Sequence, residues 1–288
     1  MKHKHDIIWF KSIDSTNDEA KRRINDIDNL SVVSALSQSA GRGQRGNSWS
    51  SAEGENLMFS IVLKFGEDGF KPLPADMSFS LIEIAALSVV SLLEKHGIQA
   101  EIKWPNDIYV GSDKICGMLV ENVLGNSGVK SSIIGIGLNI NQRNFDVNLP
   151  NPTSMLLELI KQCCSMSCKS NTYDNIVKFD IHQLLDQFLD IFKDLSYRYL
   201  SDDGDYSELR RMYLSKLWRL NLTARFIDYT GLPEGYSPTP LVAGIKNDSG
   251  SEFAGIIRGL SPIGNLIVEN AESCMTREFA FKEISYIL

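Results

Sequence analysis

The run Gly41-Arg42-Gly43-Gln44-Arg45-Gly46 has the form G-x-G-x-x-G, and its continuation decides which folds remain open. In a dinucleotide-binding βαβ unit the third glycine opens a helix whose N-terminus holds the pyrophosphate. Here the sequel is Asn47-Ser48-Trp49-Ser50-Ser51-Ala52-Glu53-Gly54-Glu55-Asn56, polar and turn-forming, with no amphipathic period. Glu67 and Asp68 stand near the spacing of a ribose-binding acid, yet no βαβ unit leads to them. The Rossmann reading fails on context. What is left is a loop with flexible backbone, amide donors and two fixed cations, Arg42 and Arg45. Guanidinium groups match carboxylate and phosphate geometry, so such a loop can close over two anions that repel one another. A surface turn with solvated arginines would have the same local sequence.

Around this loop the chain changes character twice. Ile7 to Phe10 reads as a strand, and Asp14-Ser15-Thr16-Asn17 then supplies N-cap residues for a helix with Asp18 and Glu19 in its first turn. Further strand candidates are Ser31–Leu36, Leu57–Phe65, Ala100–Trp104, Lys114–Val123 and Val129–Ile140. Ala75 to His96 is a long helix closed by Gly97; it holds the longest apolar stretch, but Glu83 and several serines mark it as buried and not membrane-spanning. After Pro152 the pattern turns helical, with apolar residues three and four apart over Ile176–Leu200 and Tyr206–Trp218. Beyond Asn221 come short β-like runs, Leu222–Ile227, Leu241–Ile245, Phe253–Arg258, Leu266–Glu269 and Glu278–Phe281, between Gly, Pro, Asn and Ser. That spacing predicts a small β-barrel of about 65 residues, short enough to depend on docking to the main body. These patterns suggest an α+β or α/β catalytic domain over residues 1–220 with a small β appendage over residues 221–288, and sheet order cannot be read from them.

A second cluster carries more information than the first. Lys103-Trp104-Pro105-Asn106-Asp107 follows a strand; Lys114-Ile115-Cys116-Gly117-Met118-Leu119-Val120-Glu121 begins the next; Gly135-Ile136-Gly137-Leu138-Asn139-Ile140-Asn141 ends a third. Taken singly, each reads as a turn or as close packing. Their combination and order, with Asp14-Ser15-Thr16-Asn17, Gln38 and GRGQRGNSW, closely resemble the catalytic core of the biotin–protein ligases, from about Ile7 to Asn141. The β-rich tail resembles that family's small C-terminal SH3-like domain, and the stretch Cys163 to Asn175 looks like a variable insertion.

The resemblance implies an α+β fold, a mixed β-sheet packed with helices of the class II synthetase or biotinyl-lipoyl ligase-like kind, and a set of roles. Ser15, Thr16, Asn17 and Gln38 would surround the ureido ring of biotin, whose buried N–H and C=O groups need partners because each one left unpaired costs about 1–3 kcal/mol. Arg42, Gly43 and Gln44 would lie on the biotin/adenylate loop and Trp49 near the nucleotide. Lys114 would contact the biotin carboxylate and the phosphate. Asn106, Asp107 and Asn139 would stand near the triphosphate and its Mg²⁺, with Asp107 and Asn139 as metal ligands and Lys103 as a further phosphate contact. The biotin carboxylate would attack the α-phosphorus of ATP while Arg42, Arg45, Lys114 and Mg²⁺ offset the repulsion, and a carrier lysine would then attack the acyl-adenylate with help from Asp107. Lys114, Arg42, Arg45 and Asp107 are thus the expected catalytic groups.

Departures from the family qualify this. Gln44 and Asn47 stand where many members have arginine, so the adenylate is expected to leave this site more readily than an arginine-bearing relative's; equal or slower release side by side would overturn that. The core begins at Ile7, so the sequence predicts a monofunctional ligase without the DNA-binding helix-turn-helix of some relatives. A net charge of −7 also argues against a chain held on nucleic acid by bulk electrostatics. No signal peptide or membrane span is read, and five cysteines, an odd number, fit free thiols in a reducing cytoplasm. The expected partner is a biotin carboxyl carrier protein or domain, with a homodimer possible through an extended sheet. A lipoate or octanoate transferase and a non-catalytic biotin sensor remain as alternatives.

Overall fold

A computed structural model describes residues 6–44, 47–66, 70–165, 177–201, 204–230 and 250–287. Seven strands build the larger sheet: β1 (Ile7–Phe10), β2 (Val32–Ala35), β3 (Leu57–Lys64), β4 (Glu101–Lys103), β5 (Asp107–Val110), β6 (Asp113–Gly125) and β7 (Gly128–Leu138). Their order is β1-β2-β3-β7-β6-β5-β4. Only β1 and β2 pair parallel, joined through α1 (Thr16–Arg23); the other neighbours are antiparallel, so the sheet is mixed, as the resemblance implies. Ser15 caps α1 by accepting from the Asp18 amide, and Asp18 and Glu19 occupy the positive end of the helix.

One face of this sheet is the main core. Leu57, Phe59, Ile61 and Leu63 of β3 and Ile134, Ile136 and Leu138 of β7 alternate toward α2 (Phe79–Lys95) and α4 (Ile181–Leu200). Phe59 meets Phe188 of α4 edge-on at 5.1 Å between centroids. Burying one such ring contributes about 1.5–3 kcal/mol. By composition α2 and its lead-in are long and apolar enough to cross a membrane, but this helix is buried on nearly every side. Its Glu83 is neutralised by Arg210 of α5 (Tyr206–Ser215). The other face is covered by α1 only near β2, β3 and β7, where Ala20 and Ile27 meet Val33, Val62 and Ile133. The remainder of that face is open to the site. A further helix, α3 (Met155–Ser165), follows β7.

Two elements differ from the sequence reading. Lys103 to Asp107 reads as a turn after one strand, with no strand assigned before Lys114; the structure adds β5 directly after that turn, paired with β4 as a tight hairpin. The last strand, β12 (Ile284–Ile287), is too short to show a period of its own and is stabilised by pairing with β8 (Thr223–Asp228). With β9 (Ser251–Leu260), β10 (Leu266–Asn270) and β11 (Thr276–Phe279), these strands form an antiparallel sheet ordered β11-β10-β9-β8-β12. The strand candidate Leu241–Ile245 lies outside the described residues.

The second sheet docks on the first domain, as its size predicts. Trp104 donates from Nε1 to the Gly264 carbonyl at 2.9 Å and packs on Phe281 at 5.7 Å. Arg210, besides pairing with Glu83, donates to the carbonyls of Ser261 and Pro262. Gly264 has φ +91° and stands so close to Phe79 that a Cβ there would overlap the ring.

Candidate active site

The open face is organised by the ladder. One row of cross-strand partners runs Lys103, Asp107, Gly117, Gly137, Met58, Ala35; the next contains Leu119, Gly135, Ser60 and Val33. Strand β6 carries one extra residue here: Ile108 faces Cys116 but Tyr109 faces Lys114. In a regular strand Lys114 and Gly117 would point to opposite faces. The bulge restores Lys114 to the side of Asp107 and Gly117, which explains why the motif spaces its lysine and glycine three apart.

The three glycines of these rows form a floor. A Cβ on Gly137 would overlap the Trp49 indole, and one on Gly135 would overlap the Asn17 amide. A Cβ on Gly117 would stand 3.2 Å from Trp49 and 3.3 Å from the Lys114 ammonium. Three side chains from distant parts of the chain therefore lie flat on bare backbone. The Trp49 Nε1–H is buried there without a partner. Gly41 has its own close approach: a Cβ would run into the Trp49 carbonyl, so this glycine lets the arginine loop fold onto its descending arm.

Polar groups gather at the α1 end. The Thr16 amide donates to Gln38 Oε1 at 2.7 Å, the Ser60 hydroxyl donates to Asn17 Oδ1 at 2.6 Å, and Ser60 Oγ lies 2.9 Å from Thr16 Oγ1. Asn17 Nδ2 in turn donates to Glu121 at 2.8 Å. Ser15 is committed to its capping bond. Arg42 crosses from the loop to Asp18 at 2.6 Å and Glu121 at 3.1 Å. Asp18 and Glu121, which the sequence reading placed in a first turn and a motif without a role, are thus the carboxylates that hold the loop cation.

At the β5 end Lys114 pairs with Asp107 at 2.7 Å, and its ammonium stands 6.0 Å from the Trp49 ring. Four residue steps along β6, from Gly117 to Glu121, separate the two groups, roughly 13 Å of extended chain. Lys103 ends the same row, donating to the Tyr109 hydroxyl at 3.0 Å. Burial pushes its pKa down to about 8, with Asp107 acting to raise it and Lys114 and Arg219 to lower it.

At two predicted site residues the side-chain nitrogen is already engaged. The Asn106 amide donates to the Met118 carbonyl and that of Asn139 to the Thr153 carbonyl at 2.9 Å, so both tie backbone together beside the row. Gly43 and Gln44 form the turn of the loop, the Gly43 amide donating to the Asn47 carbonyl and the Asn47 amide to that of Gln44. Arg45 lies outside the described residues. Among the described residues no group of His, Cys, Asp and Glu could by itself hold a metal. The face can accept a polar neutral group at the α1 end and anions at the Lys114 end.

Residues 9–141 match the model of the biotin/lipoate A/B protein ligase family. Over 116 residues the chain is 39% identical to the bifunctional ligase/repressor BirA of Bacillus subtilis, covering 40% of this chain and 34% of that protein. Over 141 residues it is 35% identical to BirA of Escherichia coli, covering 48% and 42%. The chain therefore spans less than half the length of these curated relatives. A biotin protein ligase from Aquifex aeolicus in complex with biotin and ATP shares the fold with a TM-score of 0.69 at 24% identity, over 98% of both chains. The matched stretch, Trp9 to Asn141, is the one that builds the floor, the polar end and the Lys114–Asp107 pair.

Proposed function

We propose that the chain is a biotin–protein ligase that condenses biotin with ATP to biotinyl-5′-AMP, releasing pyrophosphate, and then transfers the biotinyl group to a lysine of a biotin carboxyl carrier protein or domain. The observation that carries this is the glycine floor, with amide and hydroxyl groups at one end and the Lys114 ammonium at the other. A ureido ring has donors and acceptors to satisfy, and Thr16, Asn17, Ser60 and Gln38 offer both. The valeryl chain would then lead its carboxylate toward Lys114.

In the first step a carboxylate oxygen bonds to the α-phosphorus as the bond to pyrophosphate breaks. The nucleophile is ionised at neutral pH, so the chain has to position it and offset charge more than move a proton. Lys114 serves both ends of the forming bond. Arg42 would join by exchanging Asp18 and Glu121 for the incoming anion, and Arg45 is the second loop cation. In the transfer step the amine nitrogen bonds to the carbonyl carbon, AMP leaves, and Asp107 is the nearest group on the row able to accept a hydrogen bond from that amine.

Mg²⁺ fits as an ion carried in on the phosphates. It keeps several waters and needs only one or two protein oxygens. Asp107 supplies one carboxylate, and the Asn139 amide nitrogen is taken by Thr153, which leaves its oxygen for a metal. When bound it would neutralise the polyphosphate.

The test is exchange of labelled pyrophosphate into ATP with biotin, lipoate or octanoate present. Exchange with biotin alone is expected. Exchange with lipoate would move the chain to the sister activity, and none with any acid would leave a biotin-binding protein without ligase chemistry.

A further inference from the structure

The strand that carries Lys103 is held from both sides by the C-terminal sheet. Trp104 reaches Gly264 and Phe281 on the core side. On the site side, the Lys103 ammonium stands 4.6 Å from the centre of the Tyr109 ring, 5.1 Å from that of Tyr286 on β12 and 5.7 Å from that of Trp218. The rings support one another: Trp218 packs on Tyr109 at 5.4 Å and on Tyr286 at 5.5 Å, and Tyr286 on Phe226 of β8 at 5.2 Å. An unbroken aromatic path thus runs from the second sheet to one ammonium on the site row.

This ammonium differs from the other cations of the face. Arg42 and Lys114 each have a carboxylate partner. Among the described residues Lys103 has none within ion-pairing distance; Asp107, opposite it in the ladder, is taken by Lys114. Ring faces and a phenol steady a cation without neutralising it, and cation–π attraction tolerates centroid distances to about 6 Å. A buried charge held in this way still seeks an anion. The Tyr286 hydroxyl is itself buried without a partner, so the ring and not the hydroxyl is the part in use.

We infer that Tyr286 and Trp218 are positioning residues that aim the Lys103 ammonium along the site row at an anionic group, making β12 of the C-terminal sheet part of the anion subsite. In the proposed reaction, on which this inference rests, that group is the polyphosphate of the nucleotide. The ammonium keeps its ring contacts while its N–H groups turn to the phosphate oxygens. No bond forms or breaks at Lys103.

A kinetic cycle on the full chain tests this, reading KM for ATP and for biotin in pyrophosphate exchange. Tyr286→Leu is expected to raise KM for ATP about tenfold, the size of a lost desolvated cation–π contact, and to leave KM for biotin within about twofold. Tyr286→Phe keeps the ring and should leave both unchanged. Lys103→Met should match Tyr286→Leu, and the double variant should be no worse than Lys103→Met alone. Trp218→Leu enters the same cycle should Tyr286→Leu not fold. An equal further loss from Tyr286→Leu in the Lys103→Met background, or a matching rise in KM for biotin, would make the ring a mere buttress and overturn the inference. Absence of exchange by the unmodified chain would show instead that the proposed activity is wrong, and the inference would fall with it.

Discussion

From β3 to β5 each strand turns one set of residues to α2 and α4 and the alternate set to the site. On the helix side the set is Phe59, Ile136, Met118 and Ile108, large and apolar. One residue along the same strands the set is Ser60, Gly135, Gly137, Gly117 and Asp107. The first face is filled by its own side chains. The second is emptied of them, so that Asn17, Trp49 and Lys114 can lie on the backbone. A core tolerates exchange of one apolar group for another of similar size. A bare floor tolerates nothing larger than hydrogen, because whatever is added displaces a functional side chain. The two faces should therefore fail differently, one in stability and the other in activity.

Lys114→Met should give the largest effect. It removes the ammonium that stands against Gly117 and leaves Asp107 without its partner at 2.7 Å. Loss of one preorganised charge at a transition state costs roughly 10²–10³ in rate, and the uncompensated Asp107 pushes toward the upper figure. Biotin-dependent exchange measures it. Activity within tenfold of the unmodified chain would mean that charge relief is supplied elsewhere, by the arginine loop first of all.

Gly137→Ala is next. Its methyl group would overlap the indole, so Trp49 has to lift from the floor. A displacement of that order costs about 10²-fold in kcat/KM when it misplaces reacting groups. The backbone of Gly137 is that of an ordinary strand, so melting temperature should hold while exchange collapses. Full activity would show that the closeness of Trp49 to the sheet is not needed for the reaction.

A smaller effect should track pH. Lys103 has a pKa of about 8, below the ordinary 10.5, because burial outweighs the pull of Asp107; Lys114 and Arg219 add to the lowering, and the Tyr109 phenol is pushed up to about 12 and stays neutral. An anion prefers the charged form. Hence kcat/KM for ATP should fall as pH rises through about 8, by about tenfold in all, the size expected of Lys103→Met, and that variant should abolish the limb. The sign for stability is opposite. Between about 8 and 10.5 the unfolded chain binds more protons than the folded one at this group, so Lys103 makes stability rise with pH in that window. A flat profile in the unmodified chain would sever Lys103 from the nucleotide.

The contrast between the faces also explains what the sequence could show. Leu57–Phe65 and Val129–Ile140 are legible as strands, and the Ser15 cap announced α1, because both are local patterns of residue type and position. The motifs around Arg42, Lys103, Lys114 and Gly135 do converge on one side of one sheet. What they pack against was not legible. Gly-Ile-Gly reads as close packing, but nothing near Gly137 in the chain says that the packed group is Trp49. The extra residue at Ile115, which turns Lys114 to the site, shifts one position and leaves no mark on hydrophobicity. Nor does residue type distinguish an amide aimed at a ligand from one spent on a carbonyl, as Asn106 and Asn139 are. The aromatic cage escaped because Trp218 meets Tyr109 through the bridge of Leu217 to Ile102, and Tyr286 joins them only through docking of the second sheet.

Ile136→Val should have the smallest effect and gives the sharpest test of the comparison, since Ile136 sits between the two floor glycines. Its side chain points to the core, paired across the ladder with Phe59 and Met118 and almost wholly buried. Removing one methylene there costs about 1 kcal/mol, the lost transfer energy plus that of a small cavity which α2 and α4 can partly close. Chemical denaturation should record that loss as a lower midpoint with an unchanged slope. Activity per folded molecule should not move, because the backbone that carries Trp49 and Asn17 is held by ladder hydrogen bonds to both neighbouring strands. If exchange fell along with stability, the floor would be set by the packing beneath it and not by the ladder, and the two faces would act as one unit.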